Sequence, residues 1–87
     1  MSVHSSVLDL IGNTPIIDIS HLSRKPGVRI LAKLEGQNPA GSVKDRIAKA
    51  MIEDAEADGT LTSGRTIIEP SSGNTGIALA MICQLKG

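Results

Sequence analysis

The sequence predicts an α/β fold, and the leading part of one rather than a whole. Short β-branched runs bounded by Gly and Pro alternate with segments of helical period. Both long helical segments are entered through Gly- and Ser-containing loops, as in βα units. The second helix is apolar around most of its circumference, and the chain stops at Gly87 at that helix's natural end. A βαβ unit needs a following strand for its helix to return to. The 87 residues therefore read as the front of a larger domain, the alternative being a small protein completed by a partner.

The elements follow in order. Val7, Leu8, Leu10 and Ile11 suggest a short helical turn, closed by Gly12-Asn13-Thr14-Pro15. Ile16 to Ile19 predicts a short strand, and Pro26-Gly27 turns the next loop. Val28 to Glu35 predicts a second strand, with Val28, Ile30, Ala32 and Leu34 on one face. A loop from Gly36 to Gly41 carries the Asn38-Pro39 turn. Val43 to about Asp58 predicts a helix, with Val43, Ile47, Ala50, Met51 and Ala55 as its apolar stripe. Ser42 and Asp45 read as its capping pair. Asp45 and Lys49 stand four apart in the favourable order, and Gly59 is placed as the C′ residue. Thr66 to Glu69 reads as a short buried strand, broken by Pro70-Ser71-Ser72-Gly73. A last helix runs from Asn74 or Thr75 to Lys86, and needs cover on more than one side.

Composition narrows the function. Nine basic and nine acidic residues give zero formal charge, which argues against nucleic acid or an anionic membrane as the main partner. The absence of Phe, Tyr and Trp argues against an aromatic stacking platform and leaves a thin core. With one cysteine, Cys83, there is no intrachain disulfide and no cysteine-based metal site. Cys83 itself reads as a packed, inert thiol. His4 and His21 stand alone and read as surface residues, since a metal site needs several convergent ligands. No run approaches the ~18 apolar residues of a membrane span, and no signal pattern opens the chain. The default location is cytoplasmic. Glu53, Asp54, Glu56 and Asp58 form a solvated acidic face.

Two places carry chemistry. Lys44 falls in the first turn of its predicted helix, where the macrodipole disfavours an ammonium group. A lysine there is one wanted for its amine, as a Schiff base with a carbonyl cofactor requires; the plainer reading is a solvated lysine whose charge Asp45 offsets. Ser71-Ser72-Gly73-Asn74-Thr75-Gly76 joins a predicted strand to a helix start. Its glycines allow close approach, and its N–H groups and hydroxyls make a cradle for a carboxylate or phosphate. Simple helix capping is the competing reading. Neither the P-loop spacing nor the G-x-G-x-x-G fingerprint is present.

Gly12-Asn13-Thr14-Pro15, Asn38-Pro39-Ala40-Gly41-Ser42-Val43-Lys44-Asp45-Arg46 and Glu69-Pro70-Ser71-Ser72-Gly73-Asn74-Thr75-Gly76 occur in that order. From Val7 onward the chain resembles the cysteine synthase (O-acetylserine sulfhydrylase) and cystathionine β-synthase family. The resemblance implies the amino-terminal part of a three-layer α/β fold of the tryptophan-synthase-β type. Within it, residues 1–37 would form a strand-rich lead segment and residues 38–87 the start of the smaller lobe. It implies pyridoxal 5′-phosphate as cofactor and Lys44 as the lysine that bonds to it. Asn74 would hydrogen-bond the cofactor's ring oxygen. The loop of Ser71, Ser72, Gly73, Asn74 and Thr75 would hold the substrate α-carboxylate. Ser71 stands where the family usually has threonine, which keeps the hydroxyl and loses some stiffness. The implied reaction is β-replacement on a small amino-acid substrate with sulfide, making L-cysteine, in a homodimeric parent. Met51-Ile52-Glu53-Asp54-Ala55-Glu56 and Thr66-Ile67-Ile68-Glu69-Pro70 lean towards condensation of serine with homocysteine, whereas Asn38-Pro39 leans back to cysteine synthases. A non-catalytic, partner-binding lobe is the alternative from another class. The family's groups for the cofactor phosphate and pyridine nitrogen lie beyond Gly87, so the piece alone is expected neither to hold the cofactor well nor to turn over.

Overall fold

The structure, a computed structural model, describes residues 2–87. Ser6 caps a short 3-10 turn, Val7–Leu10, by accepting the Leu8 N–H at 3.2 Å. The chain then reverses through Gly12 and Asn13, both with positive φ (85° and 49°). Only Gly and, among the others, chiefly Asn and Asp enter that region cheaply.

Two strands follow, β1 (Ile16–Asp18) and β2 (Leu31–Lys33), paired antiparallel with Ile17 opposite Ala32. β2 is shorter than the predicted Val28–Glu35 because β1 offers it only three partners. Single hydrogen bonds from Ile19 N to Ile30 O and from Leu34 N to Pro15 O extend the pairing at each end. The predicted alternation holds from Ile30 to Leu34: Ile30, Ala32 and Leu34 are half-buried, and Leu31 and Lys33 are exposed. A 3-10 turn, Glu35–Gln37, leads into Asn38, whose extended backbone (φ −64°, ψ 152°) is what a residue before proline adopts.

The first helix, α1 (Lys44–Ala57), begins where the sequence placed it and ends at Asp58 with Gly59 at φ 82°. Its capping differs from the expected box. Ser42 Oγ accepts the Lys44 N–H at 3.1 Å, but the Asp45 carboxylate accepts the Ala40 N–H at 2.7 Å rather than that of Ser42. Asp45 is fully buried and pairs with no cation among the described residues, Lys49 included, so the expected support is absent. Its other oxygen, Oδ1, has no partner among the described residues.

The buried face of α1 also differs. Ala48 and Ile52 are buried, whereas Val43, Ile47 and Met51 of the expected stripe are exposed. The helix carries two apolar faces, and the second helix, α2 (Asn74–Lys86), packs on the narrower one. Ala48, Ile52, Ala78, Leu79 and Ile82 form the core, with Leu8, Ile11, Leu61, Met81 and Cys83 against it. Thr66 to Glu69 is not a strand. It is exposed, with Ile68 at 89 %, because no described strand lies beside it to complete a ladder. Ile77 and Leu85 of α2 are exposed as well, consistent with a helix that needs cover on several sides. No helix among the described residues is long and apolar enough to cross a membrane.

Candidate active site

Lys44 is the first residue of α1 and is half-buried. Among the described residues its ammonium group has no carboxylate partner. The next two residues are committed elsewhere. Asp45 turns back to the Ala40 N–H. Arg46 donates from Nε to Glu35 Oε2 at 2.8 Å and from its second nitrogen to Glu35 Oε1 at 3.0 Å. Asp45 therefore makes no ion pair with Lys44 among the described residues, and the solvated-pair reading loses that contact.

The second candidate region opens α2. Ser71 Oγ accepts the N–H of Gly76 at 3.0 Å and of Gly73 at 3.3 Å, folding the loop over the helix start. A Cβ on Gly76 would sit in ordinary contact with that oxygen, at 3.4 Å. Capping by Ser71 is thus real, yet it leaves the N–H groups of Asn74 and Thr75 without a partner among the described residues. Ser71, Ser72, Gly73 and Asn74 are exposed, and Thr75 is half-buried. Two outward N–H groups beside three hydroxyls and a carboxamide suit a carboxylate.

The helix packing relates the two regions. Lys86 Nζ lies 2.8 Å from Glu56 Oε1, a separation of 30 residues in sequence, and ties the last turn of α2 to the last turn of α1. The same offset relates Ala48 to Ala78 and Ile52 to Ile82, all in one core. α1 and α2 therefore run parallel. Continued to the first turn, the offset relates Lys44 to Asn74, so both helix starts lie at the same end of the pair. The tie at the far end is roughly 18 Å along the axes, at 1.5 Å rise per residue.

Two residues on from Lys44, Arg46 enters a polar network that sequence reasoning missed. Glu35 receives Arg46 and also the Thr14 hydroxyl and the Asn38 amide. Asn38 Nδ2 donates to the Glu35 carbonyl at 2.8 Å, and its Oδ1 accepts the Gly12 N–H at 2.8 Å. Arg46 reaches Thr14 Oγ1 at 3.2 Å, and Lys33 donates to the Thr14 carbonyl. Arg46 and Thr14 hold the Glu35 carboxyl down to about 2. The sequence carried one signal for this. Arg46, like Lys44, is a cation in the first turn of a helix, where the dipole disfavours it; a carboxylate partner was to be expected.

The residues present fit the ends of a pyridoxal phosphate complex that this chain would meet. They offer an amine held by no carboxylate and a cradle of unpartnered N–H groups at the same end of a helix pair. The clefts between α1, α2 and residues 61–67 are lined by Ile52, Leu61, Ile67 and Cys83, and do not include Lys44. No group of three or more His, Cys, Asp and Glu side chains gathers as a metal site among the described residues.

The pyridoxal-phosphate dependent enzyme family matches residues 7–87. The chain is 56 % identical over 82 residues to a cysteine synthase from a Flavobacterium species, covering 94 % of this chain and 26 % of that protein. It is 55 % identical over 85 residues to the cystathionine β-synthase of Saccharomyces cerevisiae, covering 94 % of this chain and 17 % of that one. The structure superposes with TM-score 0.92 on a hydrogen sulfide-producing enzyme from Fusobacterium nucleatum, at 53 % identity, covering 99 % of this chain and 28 % of the other. The chain thus spans about a quarter of the cysteine synthase it matches, and its fold is the amino-terminal part of that fold type. A match running almost end to end, with relatives above half identity, makes the chain a member of the pyridoxal-phosphate dependent enzyme family, whose cofactor is pyridoxal 5′-phosphate.

Proposed function

We propose that the full-length protein carrying this chain catalyses β-replacement that makes L-cysteine from O-acetyl-L-serine and sulfide. The observation that carries the reading is the pairing of helix starts: Lys44, free of any carboxylate among the described residues, opens the helix parallel to the one that Asn74 opens. When bound, pyridoxal phosphate supplies an aldehyde carbon and an electron sink for charge at the substrate α-carbon. Lys44 Nζ would hold the cofactor through that carbon, and its free amine would take the substrate α-proton as general base. The N–H groups and hydroxyls of Ser71, Ser72, Gly73, Asn74 and Thr75 bind the substrate carboxylate. The Asn74 side chain would donate to the cofactor's ring oxygen, and closure of this loop would exclude water.

Residues 1–87 by themselves neither hold the cofactor well nor turn over in this reading, and 1–37 and 38–87 are the lead segment and the start of the smaller lobe. A homodimeric assembly and a cytoplasmic location belong to the full-length protein. In that protein, Lys44→Ala removes the near-visible absorption band of the bound cofactor and the release of cysteine from O-acetylserine and sulfide; a retained band sinks the assignment of Lys44. The nearly equal identity to the yeast cystathionine β-synthase favours a second reading, condensation of serine with homocysteine. Turnover with homocysteine and none with sulfide selects it. No turnover with either, alongside a retained fold, selects a partner-binding lobe.

A further inference from the structure

Three separated stretches of chain meet at one carboxylate. Glu35 takes a two-pronged contact from Arg46, a hydroxyl from Thr14 and an amide from Asn38, while Asn38 in turn holds the Gly12 N–H. Thr14 and Asn38 are buried at 7 % and 3 % exposure. Gly12 is required by the cluster twice over. Its φ is 85°, and a Cβ there would lie 3.1 Å from an Arg46 nitrogen. A planar guanidinium held by both carboxylate oxygens has one orientation, unlike a lysine in the same place.

The network bears on Lys44 through helix geometry. Successive residues of an α-helix are turned by about 100°. Asp45, turned from Lys44 by one step, is fixed to Ala40 N. Arg46, turned by two steps, is fixed to Glu35 and Thr14. Two anchors in different directions on consecutive residues leave the first turn of α1 no freedom to rotate about its axis. The third direction, that of Lys44, is thereby set. A surface ion pair would not achieve this, because a single contact permits swivel; a fork joined to a buried threonine and asparagine does not.

We propose that Arg46 and Glu35, braced by Thr14 and Asn38, are positioning residues that fix the direction of the Lys44 amine towards the cofactor aldehyde. The proposal rests on the reading of Lys44 given above. Glu35 remains ionised across the working range because Arg46 and Thr14 hold its proton affinity down, so the brace does not slacken near neutrality.

The test uses the full-length protein as wild type, Glu35→Gln and Arg46→Lys. Each is mixed with pyridoxal 5′-phosphate, quenched with borohydride at timed intervals and digested. The pyridoxyl label is then counted by mass spectrometry at Lys44 and at Lys25, Lys33, Lys49 and Lys86. The pH midpoint of the cofactor absorption band is titrated in parallel, and circular dichroism monitors folding. The wild type is expected to label at Lys44 ahead of the other lysines. Both variants are expected to stay folded, to label Lys44 about tenfold more slowly or worse, and to shift the band's midpoint. Folded variants with an unchanged Lys44 rate and midpoint overturn the positioning role while leaving Lys44 as the cofactor lysine. A wild type that does not label Lys44 overturns both. Loss of the folded signal in both variants also overturns the positioning role, since the pair would then be a folding element.

Discussion

At the scale of single residues, the neighbours of Lys44 are more informative than Lys44 itself. The sequence made Lys44 legible through its place in a first helical turn, and it lies there. The same sequence suggested Asp45 as a surface partner, and here it misled. Asp45 is buried against the Ala40 N–H, because a carboxylate at a helix start is drawn to whatever N–H the preceding turn presents. Glu35 was unreadable as anything but the polar side of a strand, since its partners come from positions 14, 38 and 46 and only folding joins them. Its environment has a measurable consequence. The Glu35 carboxyl is lowered from 4.5 to about 2 in the fold. As pH falls below 4.5 the unfolded chain takes up the proton first, which favours unfolding; the contribution is fully present above that value and lost on approach to about 2. Acid unfolding of the full-length protein is therefore expected to lose part of its dependence on pH in this window in Glu35→Gln. Superimposable profiles for the two proteins would count against the network as a stabilising contact.

At the scale of elements, helix boundaries were legible and helix faces were not. End signals are local, so Gly59 and the loops before Lys44 and Asn74 marked the bounds of α1 and α2 well, although the predicted capping box did not form. Which apolar face of α1 is buried depends on what lies next to it, and the sequence of α1 offers two. α2 takes Ala48 and Ile52, leaving Val43, Ile47 and Met51 outward. The segment Thr66 to Glu69 shows the same principle in a strand: its composition is suitable, but a ladder needs a neighbour. Gly59 gives the element-scale prediction. Its φ of 82° is disfavoured for any residue with a Cβ, yet a Cβ there would touch nothing within 4 Å. Gly59→Ala should cost the backbone term alone, about 1–2 kcal/mol, and Gly59→Asn less. Hydrogen exchange should quicken in the last turn of α1, while the first turn at Lys44 keeps its protection. Equal effects of Ala and Asn would show that the left-handed cap is not what ends the helix.

At the scale of the whole molecule, the chain is open. Its radius of gyration is 16.8 Å and its extents are 56 × 36 × 21 Å, whereas a compact chain of this length has a radius of about 12 Å. Ile16, Ile17, Leu31, Ile68 and Ile77 face outward, and the sheet has two strands. An aromatic-free core of Ala48, Ile52, Ala78, Leu79 and Ile82 cannot offset the ordering of so long a chain. Purified residues 1–87 should therefore bind a hydrophobic dye and melt broadly. A sharp, cooperative transition without dye binding would show that the helix pair and its braces suffice.

The parallel course of α1 and α2 has a thermodynamic corollary. Like-signed helix ends are gathered at Lys44 and Asn74, together with the charge of Lys44 itself; the Asp45 carboxylate in the first turn of α1 offsets part of this, and among the described residues no salt bridge is made there. Apolar packing and the distant Glu56–Lys86 pair hold them together against mutual repulsion. An anion arriving at this end is therefore expected to stabilise the helix pair. Affinity and conformational stability are then two readings of a single quantity, linked through occupancy: whatever loosens the helix pair at its far end weakens the ligand, and the ligand in turn tightens the pair.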